Sequence, residues 1–287
     1  MSRTSVIAHS IAEEAGSVTV PPVQAGFTPA HRGGSGEPLV LLHGFTDTWR
    51  TWELVLPALE RSHDVLAPAL AGHAGGPPLD GDDPAEALIG AVERAMDEAG
   101  FATAHIAGNS LGGYTALRLA ARGRARSVVA LAPAGGWAPG DDAYLEALDH
   151  FREMAPLVEQ AAPHAEAIVA TPEGRRRAAG YMAERWEHIP PALLAHQIRG
   201  AAACTGGEAL DANAREHGWP LDPELVSCPL RIVWGTADRI LPWPRAAERW
   251  RTTFPQADWV ELDGVGHGAQ LDVPLLAAQL ILGVTAP

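Results

Sequence analysis

Short apolar runs set apart by helix-length amphipathic stretches constrain this chain more than any other feature. Pro38-Leu39-Val40-Leu41-Leu42 is apolar at every position. That pattern suits a strand covered on both faces, not one alternating between core and solvent. Residues 63–67, 103–107, 127–131, 230–234 and 258–262 read as further strands. Helices are predicted over 49–60, 83–99, 111–122, 243–252 and from Pro274 onward. The second of these carries the clearest boundaries. Asp83 can cap it, Pro84 suits its first turn, Glu86 stands where a capping-box partner belongs, and Gly100 can close it. Strand and helix alternating in this rhythm predict an α/β fold with a mostly parallel sheet flanked by helices.

The rhythm stops between Gly136 and Trp219. That stretch is rich in alanine, arginine, glutamate and tryptophan, with helix starts at Asp141 and at Thr171-Pro172-Glu173. It reads as an all-helical cap, residues 136–219, inserted into a core made of residues 1–135 and 220–287. Residues 1–17 read as a loose leader without a signal-peptide pattern. Apolar runs resume at Val18, and Gly33-Gly34-Ser35-Gly36 predicts a turn.

Charge narrows the function classes. The chain carries 35 acidic residues against 21 basic ones and a formal charge of −14, and every basic residue is arginine. Nucleic acid and anionic membrane surfaces are poor partners for such a surface. Lysine nucleophiles and Schiff bases are excluded outright. No apolar stretch reaches membrane-spanning length, so the expected location is the cytoplasm. Cys204 and Cys228 lack metal or redox spacing and read as free thiols.

Gly108-Asn109-Ser110-Leu111-Gly112-Gly113 falls between a predicted strand and a predicted helix. A serine on such a sharp turn is held out of the sheet at a helix N-terminus, with flanking glycines relieving the crowding. With His43-Gly44-Phe45 after the apolar strand, Trp234-Gly235-Thr236-Ala237-Asp238 after another, and Gly266-His267-Gly268 after the last, the chain resembles the α/β-hydrolase superfamily. The resemblance spans roughly residues 18–135 and 220–284. It implies Ser110 as nucleophile, His267 as base and Asp238 as the acid orienting that base, in the chain order this fold uses. It also implies an oxyanion hole made by the backbone N–H groups of Phe45 and Leu111, each such donor contributing about 3–4 kcal/mol to the transition state. Asp141 and Asp142 are competing positions for the acid. His73 and the His43 imidazole read as structural, Asp47 as a loop cap, and Asp263 as a solvent-facing strand end.

The expected activity is hydrolysis of a small to medium hydrophobic carboxylic ester through an acyl-serine intermediate, with water as second substrate. Trp49, Trp137, Met154 and Trp186 are candidates for the substrate pocket, and Trp52 could add aromatic surface. No metal and no organic cofactor are expected, because no histidine pair has zinc spacing and no phosphate-binding glycine loop follows a strand. Three alternatives stay open: carbon–carbon bond hydrolysis of aromatic ring-fission products, cofactor-free perhydrolysis, and ligand binding without turnover. His-Gly-Phe-Thr-Asp lacks the glycine- and proline-rich continuation expected of the first. Epoxide hydrolases and haloalkane dehalogenases of this superfamily use an aspartate at the elbow, where this chain has Ser110.

Overall fold

Strand residues that alternate between two buried layers explain the unbroken apolar runs. In the computed structural model, which describes residues 26–285, seven strands form one sheet in the order β1-β3-β2-β4-β5-β6-β7. They are β1 (Ala30–Gly34), β2 (Glu37–Leu42), β3 (His63–Pro68), β4 (Ala104–Asn109), β5 (Ala125–Leu131), β6 (Leu230–Gly235) and β7 (Asp258–Leu262). Every neighbouring pair is parallel except β1 with β3. Val40, Leu42, Ile106, Val128 and Ile232 pack into one layer, whereas Leu39, Leu41, Val65, Val129 and Val233 pack into the other. A sheet buried on both sides leaves no polar face to write into the sequence. The expected leader, residues 1–17, and the apolar run from Val18 lie outside the described residues.

Eleven α-helices accompany the sheet in the described chain: α1 (Leu56–Leu59), α2 (Pro84–Glu98), α3 (Leu111–Ala121), α4 (Tyr144–Ala161), α5 (Ala165–Val169), α6 (Pro172–Ala179), α7 (Pro191–Ala202), α8 (Gly207–His217), α9 (Glu248–Thr253), α10 (Ala269–Asp272) and α11 (Pro274–Thr285). Helices α4 to α8 fall between β5 and β6, with no described strand among them. They bury Val169, Leu193, Leu194 and small alanines in a cluster of their own that also takes in Leu271. Thr171 caps α6 by accepting the Gly174 N–H at 3.0 Å.

The structure departs from the sequence expectations in four places. Residues 49–60 make a 3₁₀ turn, Trp49–Trp52, followed by the single turn α1; Pro57 has no N–H to continue a longer helix back into the preceding turn. Residues 243–252 likewise split into a 3₁₀ turn, Arg245–Ala247, and α9. Asp83 caps α2 through the Glu86 N–H at 3.0 Å, yet the Glu86 carboxylate pairs with Arg118 of α3 and with Arg122 just after it and does not close a capping box. Strand β1 has no apolar run to announce it. It is tied across the sheet by Arg32, which pairs with Asp64 of β3 at 2.8 Å, and Gly33 and Gly34 end the strand, so that only Ser35 and Gly36 are left to make the turn before β2.

One close approach fixes the relation of helix to sheet. A Cβ on Gly112, in the first turn of α3, would lie 2.2 Å from the Leu42 carbonyl oxygen and 2.5 Å from that of His43. Only a residue without a side chain lets α3 sit that close to the end of β2. Gly112→Ala is therefore expected to destabilise the protein by roughly 2–4 kcal/mol, although alanine favours a helix interior by about 1 kcal/mol. Urea denaturation measures it, and a neutral substitution would contradict this packing.

Candidate active site

Ser110 stands where β4 stops and α3 begins, in a backbone conformation that side chains rarely adopt. Its φ is +55° and its ψ is −117°, a state costing on the order of 1–3 kcal/mol for a residue other than glycine. Neighbouring contacts hold it there. A Cβ on Gly108 would lie 2.2 Å from the Gly112 carbonyl oxygen, and one on Gly113 would lie 3.1 Å from that of Gly108. The Ser110 N–H donates to Leu131 at 2.9 Å, and its carbonyl accepts from Tyr114 and Ala134, each at 3.0 Å. Backbone bonds from β5, from α3 and from the loop after β5 thus pin a strained residue on three sides. Its hydroxyl is left at the positive end of α3.

His267 and Asp238 come from loops after β7 and β6. His267 Nδ1 lies 2.7 Å from Asp238 Oδ2, and both side chains are almost wholly buried. Asp238 Oδ1 accepts the N–H groups of Ile240 at 2.9 Å and Leu241 at 2.8 Å. A carboxylate satisfied in this way stays an acceptor, so Nδ1 carries the proton and Nε2 keeps its lone pair. His267 shares a cavity with Ser110. No side-chain hydrogen bond engages the Ser110 hydroxyl among the described residues.

Supporting residues escaped the sequence reading. Asn109 Nδ2 donates to the His267 carbonyl at 3.1 Å and to Leu131 at 3.2 Å. Gln270 Nε2 bridges Asn109 Oδ1 at 3.2 Å and Thr51 Oγ1 at 3.1 Å. Asp272, buried in α10, accepts the N–H groups of Gly266 at 2.6 Å, Glu184 at 3.0 Å and Arg185 at 2.8 Å. It thereby ties the histidine loop to the segment after α6. Asn109 was visible as the residue before the elbow serine; Gln270 and Asp272 carry no local pattern that marks them.

The turn after β2 closes the other side of the site. A Cβ on Gly44 would sit 3.4 Å from Ser110 Cβ, so Phe45 follows at the edge of Ser110. Among the described residues no backbone carbonyl outside a helix or strand ladder takes the N–H of Phe45 or of Leu111. Both can serve an oxyanion. The His43 imidazole is fully buried and accepts the Leu70 N–H at Nε2, 2.9 Å, while Nδ1 donates to Gly44 at 2.8 Å. Burial pulls its pKa down to about 3, with His73 adding to the effect. A neutral His43 thus fastens the turn to the end of β3. His73 lies edge-on to it at 5.1 Å and is also held neutral by burial, its pKa down to about 4.

The remaining acids are engaged elsewhere. Asp141 pairs with Arg245 at 2.7 Å and accepts the Ala143 N–H at 3.0 Å. Asp142 and Asp263 are exposed, the latter accepting from Thr236 Oγ1 at 3.3 Å. Asp47 accepts the Thr48 N–H at 2.8 Å and Gln197 Nε2 of α7 at 3.3 Å.

Ser110 borders two cavities. One, about 70 Å³, is largely apolar and is lined by Leu111, Tyr114, Trp137, Leu148 and Leu210. The other, about 190 Å³, holds His267 together with Asp47, His150, Met154, Tyr181 and Gln197. Trp137 and Met154 are therefore at the site. Trp49 and Trp186 are not. The Trp49 indole donates to Thr28 and stacks on His31, centroids 5.2 Å apart, which keeps it on the β1 edge. Trp186 packs on the helical cluster under the Arg175 guanidinium. Trp52 is wholly buried beneath the sheet. Tyr114, four residues after Ser110 on α3, was missed; its hydroxyl donates to the Pro220 carbonyl at 2.6 Å. Cys204 offers no rival nucleophile near Phe45, since burial pushes its thiol up to about 11.

A sequence-family model described as alpha/beta hydrolase fold matches residues 37–274, which takes in every one of these loops. The chain belongs to that family. An epoxide hydrolase of Mycobacterium tuberculosis is 32% identical over 191 residues, covering 66% of this chain and 89% of the relative. A 2-hydroxymuconate semialdehyde hydrolase of a Pseudomonas species is 33% identical over 141 residues, 46% of this chain and 50% of that one. Among solved structures, a bacterial membrane phospholipase A aligns over 99% of this chain and 92% of its own, with a TM-score of 0.70 at 23% identity. That likeness is one of fold. No described helix of this α/β-hydrolase is long and apolar enough to cross a membrane.

Asp47 gives the site a measurable signature. Burial pushes its carboxyl up to about 6 from 3.8, while Thr48, Thr51, Gln197 and His267 pull the other way. Folding therefore favours the protonated acid. The associated destabilisation is full above pH 6 and fades as pH falls from 6 towards 3.8. Asp47→Asn keeps an acceptor for Thr48 and removes the charge. It is expected to raise stability by about 2–3 kcal/mol at pH 8 and by far less at pH 4.5, read from urea midpoints. An equal gain at both pH values would contradict a buried, raised carboxyl.

Proposed function

We propose that this α/β-hydrolase is a serine esterase acting on hydrophobic carboxylic esters through an acyl-serine intermediate. The observation that carries the reading is the strained Ser110 turn opening on a cavity that is also lined by His267, whose Nδ1 is held by Asp238. Ser110 Oγ attacks the ester carbonyl as His267 Nε2 takes its proton, and Asp238 stabilises the imidazolium that forms. The Phe45 and Leu111 N–H groups hold the oxyanion. On collapse the alkoxide leaves with the proton from Nε2. Water then attacks as His267 takes its proton, and the second tetrahedral intermediate collapses by breaking the bond to Ser110 Oγ, which regains the proton from His267 Nε2 as the acid is released.

In this reading the two cavities take the two halves of the substrate. A leaving alkoxide must be protonated by His267, so it belongs in the chamber that His267 lines. The acyl group takes the apolar cavity, which Ser110 and Leu111 line and His267 does not. Helices α4 to α8 then act as a cap, with Leu148 and Phe151 of α4 and Leu210 of α8 closing the acyl side.

The epoxide hydrolase likeness does not bring its reaction with it. Epoxide opening in this superfamily proceeds from an aspartate at the elbow, and this chain has Ser110 there. Carbon–carbon bond hydrolysis is the second reading, supported by the partial likeness to the semialdehyde hydrolase. Steady-state comparison of p-nitrophenyl butyrate with a vinylogous diketone separates the two, and the ester reading expects the higher kcat/KM for butyrate.

Ser110→Ala is expected to lower kcat on p-nitrophenyl butyrate by about 10³-fold or more, and Asp238→Asn by about 10³–10⁴-fold. Ser110→Gly should abolish turnover yet raise the urea midpoint by the equivalent of about 1 kcal/mol, because glycine tolerates φ +55°. Retained turnover in Ser110→Ala would overturn the assignment of the nucleophile.

A further inference from the structure

Three cavities meet at one pair of rings. Phe45 of the turn after β2 and Phe151 of α4 both line the apolar cavity, the His267 chamber and a larger outer chamber of about 560 Å³. Their rings meet edge to face, 5.1 Å between centroids and 88° between planes. Ser110 borders the first two cavities and is absent from the lining of the third. The Phe45–Phe151 contact is thus a partition between the nucleophile and the outer chamber.

The same partition carries an ion pair. Asp211 of α8 lines both the apolar cavity and the outer chamber. Its Oδ2 accepts Arg152 Nη2 at 2.5 Å and Arg215 Nε at 2.9 Å, while its buried Oδ1 has no partner among the described residues. Arg152 follows Phe151 on α4, and its side chain is 62% exposed. Ring and guanidinium from one helix therefore close against a ring and a carboxylate from facing elements. One edge contact and one half-exposed ion pair are weak restraints, and neither continues a secondary-structure ladder. Such a wall can part without unfolding anything behind it.

We propose that the Phe45–Phe151 partition, latched by Arg152 and Asp211, is the acyl chain-length filter of the enzyme. This rests on the serine esterase reading above. Short acyl groups fill the apolar cavity with the wall closed. Longer ones react only when the Phe151 ring swings aside and the tail passes into the outer chamber. That chamber presents Glu159, Glu208 and Asp211 against Arg152 alone, and Arg152 is already held by Asp211. The tail it accepts is uncharged, so the substrate class is monocarboxylic esters and not half-esters of dicarboxylic acids.

The test is kcat/KM for p-nitrophenyl esters from butyrate to dodecanoate, below their micelle concentrations, in wild type, Phe151→Ala and Arg152→Gln. A mono-p-nitrophenyl ester of a ten-carbon dicarboxylic acid is compared with the decanoate. Phe151→Ala should raise the dodecanoate-to-butyrate ratio at least tenfold, and Arg152→Gln about threefold; the wild type should disfavour the anionic ester at least tenfold. Arg152 is exposed, so its variant decides the matter should Phe151→Ala fold poorly. Ratios within twofold of wild type, with butyrate still hydrolysed, would overturn the filter alone. Absence of wild-type turnover on every ester would overturn the esterase reading and the filter with it.

Discussion

Everything at the site depends on backbone meeting backbone where no side chain fits. Gly112 lies against the carbonyls of Leu42 and His43, and Gly108 against that of Gly112. These contacts press α3 onto the ends of β2 and β4 and leave Ser110, between them, no ordinary conformation to adopt. The same device recurs at the acid and histidine loops. A Cβ on Gly235 would lie 2.2 Å from the Val265 carbonyl oxygen and 2.4 Å from that of Gly266. Strand ends of a parallel sheet are where such loops converge. Here β2, β4, β6 and β7 each deliver one element of the site within the reach of a few hydrogen bonds.

Electrostatics separates the two buried acids near His267. Both oxygens of Asp238 are engaged, one by two backbone N–H groups and the other by the imidazole. Asp47 has one oxygen engaged and the other buried without a partner among the described residues, and its carboxyl is pushed up to about 6. Burial outweighs the hydrogen bonds that Asp47 keeps and raises its carboxyl, whereas both Asp238 oxygens are met by donors. The supply of backbone donors, more than proximity alone, distinguishes Asp238 from Asp47 beside His267.

The core was legible because its signals are local. Strand β2 announces itself as five consecutive apolar residues, and the glycine-flanked Ser110 announces a turn whose sterics leave few alternatives. Strand β1 was not legible, since its sequence Ala-His-Arg-Gly-Gly is neither apolar nor alternating and depends on Asp64 across the sheet. The pocket was legible in half. Trp137 and Met154 line it, but Trp49 and Trp186 satisfy their rings locally, against His31 and Arg175. Aromatic residues near a motif in sequence say little about which face they turn. Asp272 was invisible for the same reason in reverse: its partners Gly266, Glu184 and Arg185 come from two separate segments of the chain.

The central claim is that Ser110 forms a covalent bond to substrate. The most direct measurement is peptide mass mapping after treatment with a fluorophosphonate, whose adduct imitates the tetrahedral intermediate and survives digestion. A single stoichiometric adduct on Ser110 is expected. An adduct on another residue, or a fully folded protein that takes none, would contradict it.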